Sequence, residues 1–484
     1  MAEGGIRHYT EWTPRPIRRS RYEYEDESKE TSTIMDLLGY GPAIRQKRKD
    51  VYQWRDRLYN RYFNNFIDYD PMVTAGSKAE GLTCVYESDI DVIHVLPYTV
   101  CLEDGFNEST IPDHFIVLMM NTQGCNSGYC KPLLLRPDTG IYPAIYDSIC
   151  DDGYGNSILS SKRFVEFFKT VHPLSPFVHN SPIAGPSIPL SLGPYRVDNI
   201  RAIHCNCPVI LQKWASRTRH WPPPSIVEKV IAMRAFVTPI GCKGSVYNHL
   251  EWRICFNTSE TELVNNLNDT QIKVYVILKM IVNDVLKPQK KEITSYTLKN
   301  IVLWLAENNP QALFHAGSLF HWLHEGLDLL RTALSLRELP YYMIPERNLM
   351  AERELDDEQQ RVFVSSITDM MEEGPHMLLR LNKIRQAIIC HPEPLLWFSK
   401  MRTELEILRL ESFRRAHQCI FNHLGSGQTL IEFVQCFLSI IEADSIMQAY
   451  NKRREEILFE VWLRLFLEGS SVILSNPLEY MILS

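Results

Sequence analysis

At 484 residues the chain exceeds one ordinary hydrophobic core, and two or three packed units are expected. Its 45% hydrophobic and 23% charged residues are the proportions of a soluble globular protein. A net charge of −7 excludes a chain-wide nucleic-acid footprint and leaves any such binding to a local patch.

The first residues, Met1-Ala-Glu-Gly-Gly-Ile-Arg-His8, lack a basic stretch followed by an apolar one, so no export signal is expected. Residues 1–40 read as a tail, partly disordered, with a basic run from Arg15 to Arg21, an acidic run from Glu23 to Glu27 and little to bury. From Ile44 to Phe63 the spacing of Ile44, Val51, Trp54, Leu58 and Tyr62 predicts a helix with one apolar face. Seven cations lie on it, against Asp50 and Asp56 only. Such a face is either simply solvated or a phosphate-backbone contact, and Arg45, Arg48, Lys49 and Arg55 are the candidate nucleic-acid ligands.

Next comes Gly76-Ser77, followed thirteen positions after Gly76 by Asp89-Ile-Asp91 inside an apolar run. In a strand Asp89 and Asp91 project from one face, with Cα atoms roughly 6.6 Å apart. Two carboxylates so close repel, and a hard cation such as Mg²⁺ relieves the repulsion. Gly76 permits close backbone approach, and Ser77 offers a hydroxyl and an N–H suited to phosphate. An isolated Asp-x-Asp is also a common solvated strand end.

This spacing resembles the nucleotidyltransferase signature of DNA polymerase beta-like enzymes. The longer text Gly76-Ser-Lys-Ala-Glu-Gly-Leu82 resembles the Mab-21-like family, whose enzymatic branch includes cyclic GMP-AMP synthase and its animal relatives. The resemblance implies an α+β, bilobal protein: a polymerase beta-like mixed sheet with flanking helices over 41–269 and an all-helical lobe over 270–385; residues 386–484, beyond the resemblance, read as a helical extension.

Further along, Phe115–Met120 and Leu133–Leu135 read as strands, Ser157–Phe168 as a helix, Ser181–Pro189 as a loop and Tyr195–Ile203 as a strand. Asp198 in that strand stands where the family has a third carboxylate, with Asn199 departing from the usual apolar residue. Of twelve cysteines, expected to be reduced thiols in a cytoplasmic or nuclear protein, only His204-Cys205-Asn206-Cys207 is dense, and it lacks a second ligand pair at zinc spacing. Leu250-Glu-Trp-Arg-Ile-Cys-Phe256 resembles the family's strand between lobes, in which Arg253 is aimed at triphosphate or else holds Glu251 or a loop carbonyl. No His or Cys lies in Thr258–Thr270, where cyclic GMP-AMP synthase has a zinc-binding insertion, so no zinc is expected.

In the apolar helix from Thr270 to Leu286, Lys279 must find an anion or snorkel out, and the family offers it the nucleotide phosphates. A helix follows from Ile293 to Leu305. Its Ser295 and Tyr296 match a Ser-Tyr pair that in the relatives contacts phosphate and stacks on a base. Leu339–Met350 resembles text that closes the helical lobe. Arg402–Arg415 and Ile431–Leu467 look like amphipathic helices that pack on the body or mediate self-association. Ile457–Leu467 is too short and too charged to span a bilayer, and no membrane contact is expected.

The resemblance implies two-metal catalysis. Asp89, Asp91 and Asp198 would hold two Mg²⁺ or Mn²⁺ ions, while Gly76, Ser77, Arg253, Lys279, Ser295 and Tyr296 would bind ribonucleoside triphosphates. The product would be a cyclic dinucleotide of innate immunity, made on sensing a nucleic acid, double-stranded RNA ahead of DNA. The alternatives are a catalytically silent scaffold and an RNA-tailing transferase, the latter opposed by the helical-lobe text.

Overall fold

The computed structural model describes residues 23–63, 71–137, 142–151, 153, 155–171, 186–192, 195–286, 293–351, 355–423, 442–468 and 482. It is a mixed α and β structure with one sheet and many helices. The chain divides into two compact units, one from 36–212, 230–265 and 390–484, the other from 1–35, 213–229 and 266–389.

The first unit holds the sheet. Its strands are β1 (Met72–Ala75), β2 (Ile90–Glu103), β3 (Ile116–Asn121), β4 (Tyr129–Arg136), β5 (Ile149–Asp151), β6 (Ser157–Leu159), β7 (Ser187–Leu192), β8 (Tyr195–Asn206), β9 (Ala235–Thr238) and β10 (Trp252–Cys255). The path runs β1-β2-β3-β4-β10-β9-β8-β7, and β2 also pairs with β8, so six strands close on themselves. Strand β2 runs parallel to both β3 and β8. Its near-continuous run of buried residues is what a strand covered on both faces requires.

On one face Ile93 and Val95 of β2 pack with Ala75, Ala202, Phe236 and Cys255. On the other, Ile90 and Val92 pack with Met72, Val197 and Tyr52, the last from the helix Pro42–Phe63. Val51 of that helix joins Met401, Leu405 and Leu410 of the helix Glu393–His423, and Ile457 and Val461 of the helix Ser445–Leu467. Each such buried aliphatic contributes roughly 1.5–3 kcal/mol by leaving water. The C-terminal helices therefore pack on the sheet unit, one of the two roles read from their amphipathicity.

Two local readings change. Ser157–Leu159 is strand, because Ile158 pairs with Leu133 of β4 and Cys150 of β5. The helix begins only at Ser161, after Ser160 accepts the Arg163 N–H in an N-cap bond. Residues 187–189 belong to β7, the end of the path, where Pro189 is tolerated because an edge strand has an N–H side to spare. Residues 181–185 and 431–441 lie outside the described residues.

The helical unit includes the helices Asp269–Ile281, Ser295–Asn308, Leu319–Leu336 and Asp357–Glu373. A capping box of Asn268 and Gln271 starts the first. A Cβ at Gly326 would press on Leu278 Cδ1 at 3.0 Å, so the glycine makes room for that leucine. Part of the expected tail is also helix: Glu25–Met35 joins this unit, with Ser28 Oγ accepting the Phe320 N–H at 3.1 Å and Lys273 Nζ donating to Ser32 Oγ at 2.9 Å. Its buried face is mostly Ser and Thr, so an apolar periodicity cannot reveal it. Residues 1–22 lie outside the described residues. Among the described residues no helix is long and apolar enough to cross a membrane.

Candidate active site

Register brings two of the candidate carboxylates side by side. Asp91 on β2 is the direct partner of Asp198 on the parallel strand β8, and Ala75 at the end of β1 is the partner of Asp91 on its other side. Neighbouring strands lie about 4.8 Å apart. Because side chains alternate, Asp91 shares the face of Ile93 and Val95, and Asp198 that of Ala202, over one apolar floor. Arg253 of β10 shares the face of Cys255, which packs on the same floor. Asp89 immediately precedes β2 and is exposed, two residues before Asp91.

Gly76 follows β1 with φ +63°, a conformation that L side chains avoid, and a Cβ there would collide with Asp91 Oδ2. The glycine is therefore required by the carboxylate itself. Ser77 is next in the four-residue turn of helix Gly76–Ala79. Ser187 Oγ of β7 donates to Asp198 Oδ1 at 2.9 Å. Asn199 points to the opposite face, where its Oδ1 meets His94 Nε2 at 2.9 Å and its amide donates to the Ile188 carbonyl at 3.3 Å. The departure at Asn199 thus ties β2, β7 and β8 together without crowding Asp198.

Glu251 is fully buried and accepts from the Cys242 N–H at 2.9 Å and Ser245 Oγ at 2.7 Å. Lys78, also fully buried, donates to the Cys84 and Val85 carbonyls and so staples the loop leading to Asp89. Burial pushes its ammonium down to about 8. Among the described residues, no three His, Cys, Asp or Glu side chains are gathered closely enough to enclose an ion.

The remaining three candidates lie in the helical unit. The Lys279 ammonium sits 5.7 Å from the centre of the Tyr275 ring, and the Tyr275 hydroxyl donates to the Ser295 carbonyl at 3.3 Å. Tyr275 thereby links Lys279 to Ser295. Tyr296 packs on Tyr341 at 5.8 Å, and Lys299 lies 5.9 Å from its ring. Lys279 is half-buried, consistent with a stem in the core and a head that reaches outward.

The proposed nucleic-acid face needs correction at two positions. Arg48 is 1% exposed and grips Glu406 with two bonds of 2.6 and 2.8 Å. Arg55 is 4% exposed and donates to Thr74 Oγ1 at 2.6 Å and to Asp56 Oδ1 at 3.1 Å. Neither can reach a phosphate backbone. Both instead position the site: Arg48 also donates to the Gly81 carbonyl at 3.2 Å, and the Arg55–Asp56–Thr74 group anchors β1. Lys47 is taken up by Glu411. Arg45 and Lys49 are half-buried, pressed against Gly81 through the Arg45 carbonyl and the Lys49 stem. The exposed cations of this helix are Arg57 and Arg61.

Sequence reasoning missed Lys78, Asp56, Ser187 and Glu406. Lys78 alone had a signal, lying inside the Gly-Ser motif. Residues 255–369 match the family model described as Mab-21 protein HhH/H2TH-like domain. The chain thus carries a Mab-21 HhH/H2TH-like domain, in keeping with the Mab-21-like resemblance of its motifs and pointing to the nucleotidyltransferase superfamily in general.

Proposed function

We propose that the chain is a metal-dependent nucleotidyltransferase. The observation that carries this reading is the pairing of Asp91 with Asp198 in register, with Gly76 fitted against the Asp91 carboxylate. The donor set fits a hard cation: carboxylate oxygens on one face, with no thiolate or imidazole among the candidate ligands. Asp89, Asp91 and Asp198 would hold Mg²⁺ or Mn²⁺, which when bound supplies charge neutralisation for an in-line displacement at phosphorus.

Asp198 would take the proton of the attacking ribose hydroxyl as its oxygen bonds to the α-phosphorus and pyrophosphate departs. Ser187, by donating to Oδ1, leaves Oδ2 and the second lone pair of Oδ1 available. Ser77 and Arg253 would hold phosphates beside the carboxylates, and the sequence resemblance assigns Lys279, Ser295 and Tyr296 to nucleotide binding. The finer reading rests on the sequence resemblance: a cyclic dinucleotide made in response to a nucleic acid, with double-stranded RNA ahead of DNA. Arg48 and Arg55 have no part in that capture.

The test is incubation of the purified chain with all four labelled ribonucleoside triphosphates and Mg²⁺ or Mn²⁺, with and without double-stranded RNA or DNA. Phosphatase-resistant product is expected, and its loss in Asp89→Asn/Asp91→Asn while the melting profile stays intact. Product that survives in this variant would refute the assignment. No product from folded wild-type protein under any condition would favour the scaffold.

A further inference from the structure

The strands that carry the carboxylates also build a second recess, six residues further along β8. Between Val95 and Val100 the β2–β8 register breaks, and Tyr98 takes φ 49°, unusual for a bulky side chain. Bulges of this kind re-aim side chains and recur beside functional sites. The recess has a volume of about 380 Å³, and Tyr98, Thr110, Phe115, His204, Asn206 and Arg234 line it. Small-molecule sites typically measure about 300–1,000 Å³. Six residues of strand separate Asp198 from His204, on the order of 20 Å.

Its chemistry is specific. Arg234 is exposed, and no described residue pairs with its guanidinium. The Asn206 amide likewise has no partner among the described residues. Strand alternation puts His204 and Asn206 toward this recess and Cys205, between them, away from it, which splits the four-residue cluster. His204 stacks on Phe236 at 5.3 Å, and its buried Nδ1 has no partner among the described residues. An orphaned buried ring nitrogen of this kind calls for an explanation. Burial, with the Arg234 charge second, holds the imidazole down to about 4, so it is neutral at physiological pH. Tyr98 stands edge-on to His114 and Phe115 at 5.3 and 5.7 Å and is 41% exposed, while Pro97 and Pro112 add flat apolar walls.

A fork-shaped cation, an amide that can read donors and acceptors, and aromatic and proline walls together suit one class of ligand. We propose that this recess binds a planar heteroaromatic molecule bearing one anionic group, the class that a nucleoside monophosphate typifies. The proposal does not depend on the catalytic reading.

The test uses the full chain carrying Asp89→Asn/Asp91→Asn, in EDTA, titrated with AMP, GMP, CMP and UMP by calorimetry or saturation-transfer NMR. Adenosine and inorganic phosphate serve as fragments. At least one monophosphate should bind saturably and more tightly than either fragment. Arg234→Ala, at an exposed position that tolerates truncation, should weaken it tenfold or more, and Asn206→Leu should change the preferred base or abolish binding. Photolabelling with 8-azido-AMP should mark peptides spanning 96–115, 204–206 or 234. No binding by any of the four, binding indifferent to both substitutions, equal binding of a fragment, or label confined to 76–91 and 253 would each overturn the proposal.

Discussion

Arg48→Ala should destabilise the sheet unit severely and leave nucleic-acid contacts untouched. Arg48 and Glu406 are 1% and 0% exposed at the side chain, bonded twice, with a further bond from Arg48 to the Gly81 carbonyl. Removing one member of a buried pair strands the other charge without water, at a cost of about 3–5 kcal/mol. The lost bond to Gly81 adds about 1 kcal/mol. For a unit of this size that corresponds to a fall in melting midpoint on the order of 10 °C. The cost of stranding Glu406 exceeds the value of the pair itself, so Arg48→Met with Glu406→Leu should recover most of the loss. Thermal and urea unfolding of the two single variants and the double variant close the cycle. Loss below about 1 kcal/mol in Arg48→Ala, or weakened RNA binding at unchanged stability, would refute the buried assignment and restore the nucleic-acid role.

Gly76→Ala should reduce nucleotidyl transfer by two orders of magnitude or more, because the new Cβ displaces Asp91; a Gly76→Ala protein with wild-type turnover would sink this reading of the motif. Lys78→Met should flatten the stability profile between pH 8 and 10.5: the folded lysine loses its proton near 8 while the unfolded one keeps it, so wild-type stability rises with pH across that window. Urea midpoints across that window, wild type against variant, read the difference. His417, half-buried beside Tyr59 and Phe413, is held down to about 4, chiefly by desolvation. The unfolded state therefore binds an extra proton between pH 6.5 and 4, and stability falls as pH drops through that range. His417→Phe should remove that loss in acid melts, and an unchanged acid slope would place the protonation elsewhere.

Local periodicity determined much of the architecture in advance. The alternation around Asp89 and Asp91, the strand at Asp198 and the helices bearing Lys279 and Tyr296 were legible, because each depends on residues within a few positions of one another; the strand at Arg253 was legible through the family resemblance of its text. The Gly-Ser turn was legible for the same reason, since only glycine accommodates its φ and its carboxylate neighbour. Partnership across the chain was not legible. Arg48 read as a cation for RNA because its partner, Glu406, lies 358 positions away, and a charge pattern on one helix cannot say whether another helix will cover it. The same holds for residues 25–35, whose buried face is mostly Ser and Thr, and for the recess at Tyr98, which lies where the register of β2 against β8 shifts. Composition and spacing determined which residues can do chemistry. Tertiary packing alone decided which of them meet, which are buried as struts, and which remain open to a ligand.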